Sequence, residues 1–247
     1  EVIQQLNKGE QLLNEEVQKG INVVGRMGDK FKNIAANISI KDIAKGVMDT
    51  VDRFNTQAQA EIKLQAVVER DMKTNDIQNE LDTTKLEQQK GVIADEVQLD
   101  GASQLGSYVQ STHALAQLIP AMNDLAVKQN GVSATSEQVA AAGNMIGLAM
   151  RGQTGELESV GLTFTQAQRE MMQYGSEAEK VAILSEIVKG QIGSVNEEAA
   201  NTPQGRIQQI QNALNGIKET VGGQLYPRVL ELLTSVGNHL PKIQPVI

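Results

Sequence analysis

Residues 201–240 read NTPQGRIQQIQNALNGIKETVGGQLYPRVLELLTSVGNHL. Thr202 stands where its side chain can cap free amide N–H groups, and Pro203 occupies a first-turn position that tolerates a missing N–H, so a helix is expected to start there. Apolar residues then fall at Ile207, Ile210, Leu214, Ile217 and Val221, alternating steps of three and four that draw one narrow stripe along one side of a helix. Such a stripe seeks another helix, and these residues form the candidate helix-packing seam. Gly222-Gly223 and Pro227 weaken the ladder, because glycine costs about 1 kcal/mol against alanine and proline removes a donor. A break near 222–227 is therefore expected, after which Val229, Leu232, Leu233, Val236 and Leu240 resume helical spacing until Pro241 and Pro245 end it. On pattern alone the plainer reading is an amphipathic core helix followed by a second one, since two heptads make a short seam.

The composition of the whole chain agrees with helix packed on helix. Its 247 residues include three Phe, three Tyr and no Trp, so the apolar material is Val, Ile, Leu, Ala and Met. That suits close packing through small contacts rather than a thick aromatic core. The net charge of −8 arises from 22 basic and 30 acidic residues that are interspersed, which leaves no basic patch to track phosphates and no sign of sequence-specific nucleic-acid reading. Without cysteine there are no disulfides and no thiolate ligands. The longest apolar run, Val139 to Met150, is about half of what a bilayer requires. The chain opens on Glu1 with no charged-then-apolar signal segment and stops at Pro245-Val246-Ile247, from which a piece of a longer polypeptide is expected.

In chain order the expected fold class is all-α: long amphipathic N-terminal helices, a compact bundle of short helices, and a C-terminal amphipathic helix pair. Residues 1–38 form the first helix, with Val2, Leu6, Leu13, Val17, Val24, Phe31, Ile34 and Ile38 on one side. Ser39-Ile40-Lys41-Asp42 has capping-box form and starts a second long helix over 39–90, whose inner face runs through Ile43, Val47, Val51, Phe54, Ala58, Ile62, Val68 and Met72 and whose end, 72–90, is polar and reads as solvent-exposed helix or loop. Residues 91–201 form the bundle. Within it Thr135-x-x-Gln138, Thr165-x-x-Gln168 and Ser176-x-x-Glu179 repeat the capping-box form, while Gly152, Gly161, Gly175 and Gly190 sit where helices would use a left-handed stop residue. Pro120 is expected to kink or restart its helix, and Asn130-Gly131 marks a turn. Gly143 and Gly147, one turn apart, are expected to admit a second helix closely as core packing. Residues 202–247 form the C-terminal helices, broken near 222–227.

Reactive chemistry has little support. His113 and His239 are far apart and outside any ligand spacing, so no metal site is expected. No serine lies in a nucleophile elbow, and Gly152-Gln153-Thr154-Gly155 lacks the lysine and preceding strand of a phosphate loop. The carboxylate pairs Glu15-Glu16, Asp95-Glu96 and Glu197-Glu198 are sequence neighbours that point about 100° apart on a helix and read as surface. No catalytic residue and no cofactor are expected.

The segments GVIADEVQLDGASQL at 91–105, LIPAMNDLA at 118–126, NMIGLAMRGQTG at 144–155, VGLTFT at 160–165, NTPQG at 201–205 and IKETVG at 217–222 follow one another as in a known family. From about Ile62 to Tyr226 the chain resembles the tail tape measure proteins of long-tailed bacteriophages and prophages. The resemblance implies a structural virion protein, assembled in the host cytoplasm and packed as helical multimers in the tail lumen, whose length sets that of the tail and which leaves ahead of the genome. It also implies partners in the tail tube, the tail tip and assembly chaperones, with self-association through helical seams. The family's long polar repeats are missing, so a folded module beside the ruler region is expected, and its muralytic or membrane segments do not carry over. Two rivals come from other classes. A secreted helical membrane-active toxin would need a membrane-length apolar hairpin and would release dye from liposomes. A lytic transglycosylase would need a sugar-stacking cleft, for which aromatic residues are scarce.

Overall fold

The structure, a computed structural model, describes residues 40–74 and 76–239. The expected helix over 1–38, the Ser39 cap and the residues from Leu240 onward lie outside them. The chain divides into residues 1–48 and 49–247. Of the first only residues 40–48 are described.

Among the described residues there are ten helices and no strand. They are α1 (Ile40–Met72), α2 (Gln78–Lys90), α3 (Asp95–Gly106), α4 (Thr112–Asn130), α5 (Ser136–Met150), α6 (Gly155–Ser159), α7 (Gln166–Tyr174), α8 (Glu177–Gln191), α9 (Val195–Ala200) and α10 (Pro203–His239). The all-α class is as expected. The single long helix over 39–90 is not: it stops at Met72, where Lys73 takes a left-handed φ of 57°, and restarts with the Asp76 carboxylate accepting the N–H of Gln78 at 3.0 Å. Its polar end is solvent-exposed along one side, as expected, with Lys73, Asp76, Gln78, Asn79, Asp82, Lys85, Gln89 and Lys90 in the solvent, but not all round. Ile77, Glu80 and Thr84 are buried because α2 is packed against α3 and α4.

The bundle is assembled around α4, which packs on α2, α3, α5, α8 and α9. Leu115, Leu118, Ile119, Met122 and Leu125 fill one face of this helix at no more than 1% exposure, and Ala114, Ala121, Ala126 and Val127 are buried beside them, so most of its circumference is covered, as a central helix must be. Pro120 interrupts neither its course nor its packing, and Gly131, at φ 78°, ends it at the expected turn.

A close approach joins α3 to α5. A Cβ built on Gly143 would lie 2.6 Å from the carbonyl oxygen of Gly101, and one on Gly147 would lie 2.2 Å from the Tyr108 ring. Gly143 therefore lets two helices meet backbone to backbone inside a protein core, as the spacing predicts, while Gly147 one turn on makes room for the Tyr108 ring just beyond α3.

Short helices need strong ends, since a helix of two or three turns leaves most of its terminal N–H groups without partners. Thr135, Thr165 and Ser176 each accept the N–H three residues on, and Gln138, Gln168 and Glu179 bond back to the capping residue, so all three expected capping boxes are present. The stop residues are half as expected. Gly152 and Gly161 are left-handed at φ 85° and 96°, whereas Gly175 is extended and Gly190 lies inside α8, the left-handed residue being Gly193 at φ 86°. Replacing Thr135, Thr165 or Ser176 by alanine is expected to cost about 1 kcal/mol each, read as a lower urea midpoint at unchanged slope.

Candidate functional site

The helix with which the sequence reading began has its faces the other way round from a core helix. Ile207, Ile210, Leu214, Ile217 and Val221 are 40–61% exposed, all on the outer side of α10. Positions seven apart on the opposite side, Gly205, Asn212, Glu219 and Tyr226, face inward together with Gln208, Gln209 and Gly222. The candidate seam is thus a real stripe on a real helix, and the reading of it as a core face is overturned. Scattered surface aliphatics are ordinary, but a row of five on one helix is the pattern of an interaction surface.

The expected break is also absent. α10 runs unbroken from Pro203 to His239 through Gly222-Gly223 and Pro227. The glycines serve contact: a Cβ on Gly222 would sit 2.0 Å from the Thr50 carbonyl oxygen, so α10 and α1 cross there with backbones touching. Beside the crossing Lys218 pairs with Asp49 at 2.6 Å, and the Phe54 and Tyr226 rings meet at 5.4 Å between centroids. These contacts offset the small intrinsic cost of glycine in a helix.

What draws the polar side of α10 inward is the connection 91–94. Val92 and Ile93 are core residues outside any helix, so their backbone groups need partners from side chains. The Val92 N–H donates to Asn196 Oδ1 at 2.9 Å, and its carbonyl accepts from Asn212 Nδ2 at 2.8 Å. Gln209 Nε2 donates to the Gly91 carbonyl at 3.2 Å, while Gln98 Nε2 holds the Ile93 carbonyl at 2.9 Å and Asn123 Nδ2 holds Gln98 Oε1 at 2.8 Å. These amides escaped the reading of the sequence. Their one signal was Asn212 in the middle of the side opposite an apolar stripe.

No family model, no curated protein and no solved structure matches the chain.

Elsewhere the described residues offer clefts with scattered chemistry. One of about 170 Å³ between α2, α4, α8 and α9 is lined by Glu87, Lys90, Asp124, Lys189, Asn196 and Glu197. Burial, opposed by the Asn196 N–H at 2.9 Å and reinforced by the charges of Glu87, Glu197 and Glu198, pushes Asp124 up to about 6. Burial also raises Glu87, against the charge of Lys90 at 3.6 Å. A second groove between α4 and α8 holds His113 and Glu177. Among the described residues no group of three or more ligating side chains could hold a metal ion, and no helix is long and apolar enough to cross a membrane.

Asp95-Glu96 departs from expectation. These residues are 5% and 7% exposed rather than surface, because the start of α3 is turned into the protein. Burial raises both, and the free N–H groups and positive end of α3 are what make two buried carboxylates tolerable there.

Proposed function

We propose that this chain is a folded helical segment of a phage tail tape measure protein: a structural component of the tail lumen, not an enzyme, that associates with further copies and with tail proteins through exposed helical seams. The single observation that carries the reading is the outward apolar stripe of α10, from Ile207 to Val221, on a helix already docked by its other side. A protein built to sit in a tube beside copies of itself needs such a face, and the succession of segments from 91 to 222 supplies the family to which that need belongs. A helical chain rises about 1.5 Å per residue, so residue count converts directly into length.

Removing codons in frame from the gene, outside the part encoding 49–239, should shorten the virion tail in proportion, measured by electron microscopy; tails of constant length would count against the proposal. For the seam itself, the purified chain should show a concentration-dependent mass by light scattering. Ile210→Lys with Ile217→Lys should return it to monomer with an unchanged melting temperature, since both side chains are exposed. A wild-type chain that stays monomeric at high concentration would remove the seam from the proposal.

A further inference from the structure

We propose that the stripe of α10 docks into the furrow between α4 and α8 of a second copy, so that chains join head to tail instead of stripe to stripe. The inference rests on the self-association proposed above and is independent of any tail role.

Shape is the first observation. The cleft of about 170 Å³ and the groove beside it, about 470 Å³, share Gln117 and Ser185, and together they follow α4 from its cap Ser111 to Asp124 and α8 from Glu177 to Lys189. They are one furrow. Its stretch of α8 rises about 18 Å, against about 21 Å for the stripe from Ile207 to Val221. Ala114, Ala121, Ala178, Ala182 and Ser185 line it, and such small residues let a third helix lie close to both walls with its Ile and Leu side chains between them. A stripe of two heptads buries more of itself between two helices than against one, and apolar burial is the main source of stability for so short a contact. No residue of α10 lines the furrow, so the stripe of the same chain does not fill it.

Charge is the second. Of the exposed residues from Pro203 to Val221, Arg206 is the one that carries charge, so two stripes laid together would give neither Arg206 a carboxylate. The furrow supplies them. At its α9 end stand Glu87, Asp124 and Glu197 with Lys90 and Lys189, Lys90 being already beside Glu87 at 3.6 Å, and Glu177 lies at the other end. This excess of acid sets a direction: Arg206 and the positive end of α10 go toward Asp124 and Glu197, and Val221 goes toward His113. α4 and α8 run the same way, since Ser111 meets Glu177 at 2.8 Å while Asp124 and Lys189 share the far end. The docked helix is therefore antiparallel to both. Because stripe and furrow are different surfaces, each joined pair keeps one free stripe and one free furrow, and growth continues into a ring or a filament.

Complementation in the full chain tests it by sedimentation velocity. Ala182→Arg blocks the furrow and leaves the stripe, whereas Ile210→Lys with Ile217→Lys blocks the stripe and leaves the furrow; all three side chains are exposed. Each variant alone should be monomeric at concentrations where the wild type forms a growing series of species. Mixed in equal amounts, they should form a one-to-one dimer that grows no further. Ala66→Arg, exposed in the separate groove between α1, α3 and α5, should associate as the wild type does. Self-association of Ala182→Arg at the wild-type level would overturn the furrow and leave the seam standing, as stripe-to-stripe pairing requires. Two monomeric variants that ignore each other on mixing, or an Ala66→Arg chain that no longer associates, would also overturn it. A wild-type chain that is monomeric throughout removes the seam itself and this inference with it. Should Ala182→Arg fail to fold, Ala178→Arg, exposed on the same wall, takes its place with the same readout.

Discussion

Gly143→Leu is expected to destabilise the bundle by about 3 kcal/mol, and in a domain of this size that lowers the melting temperature by roughly 6–12 °C. The atom opposite is the Gly101 carbonyl oxygen, 2.6 Å from where a Cβ would stand, with Met122 Sδ at 3.2 Å. A flexible side chain could swing away from a new methyl group, but the backbone of α3 cannot, because its partner face is held by Leu99, Ala102 and Leu105 in the core. Relief therefore requires α3 and α5 to separate, and that opens a backbone-to-backbone contact in the core of the bundle. Gly190→Ala is the matched control. It lies inside α8 with nothing within 4 Å of an added Cβ, so it should stabilise by about 0.5–1 kcal/mol through the helix propensity of alanine. Equal effects at the two positions, measured by thermal or urea unfolding, would show that α3 and α5 do not meet as described.

Glu80 should give the second large effect, in the opposite direction. Its side chain is fully buried and neither carboxylate oxygen has a hydrogen-bond partner, an arrangement that disfavours charge strongly. Burial, opposed by the nearby Glu80 backbone N–H and reinforced by the charge of Asp76, pushes it up to about 7 from the ordinary carboxylate value. The folded state thus binds this proton more tightly than the unfolded chain does. Its contribution is complete below about pH 4.5 and is lost as pH rises through 7, an effect of about 3 kcal/mol at most. Asp124 and Glu219 act in the same sense. Glu80→Leu should accordingly raise stability by about 2–3 kcal/mol at pH 8.5 but only about 1 kcal/mol at pH 4.5, where the wild-type group is neutral and merely unpaired. Urea titrations at the two pH values test this, and a gain independent of pH would show that Glu80 is not titrating inside the protein.

Much of the local structure was legible because it is written in short-range chemistry. Thr135, Thr165 and Ser176 announce helix starts through groups three residues away, and Gly131 announces a stop through its own φ. Gly143 and Gly147 state a close contact through their spacing. The failures have a common cause. Gly222-Gly223 looked like a break because propensity weighs a residue alone, whereas here the missing Cβ admits the Thr50 carbonyl. Glu80, Thr84 and Asp95-Glu96 looked solvated because they are polar, yet they are buried where α2 and α3 pack into the bundle.

The amino-acid sequence by itself determined that Ile207, Ile210, Leu214, Ile217 and Val221 share one side of one helix, because a period of 3.6 residues per turn is a property of the backbone. Which way that side points was decided only by the tertiary structure. A buried connection at 91–94 needs hydrogen-bond partners more than the bundle needs another apolar face, and Asn212 and Gln209 supply them from the opposite side of α10, so the apolar stripe is left outside.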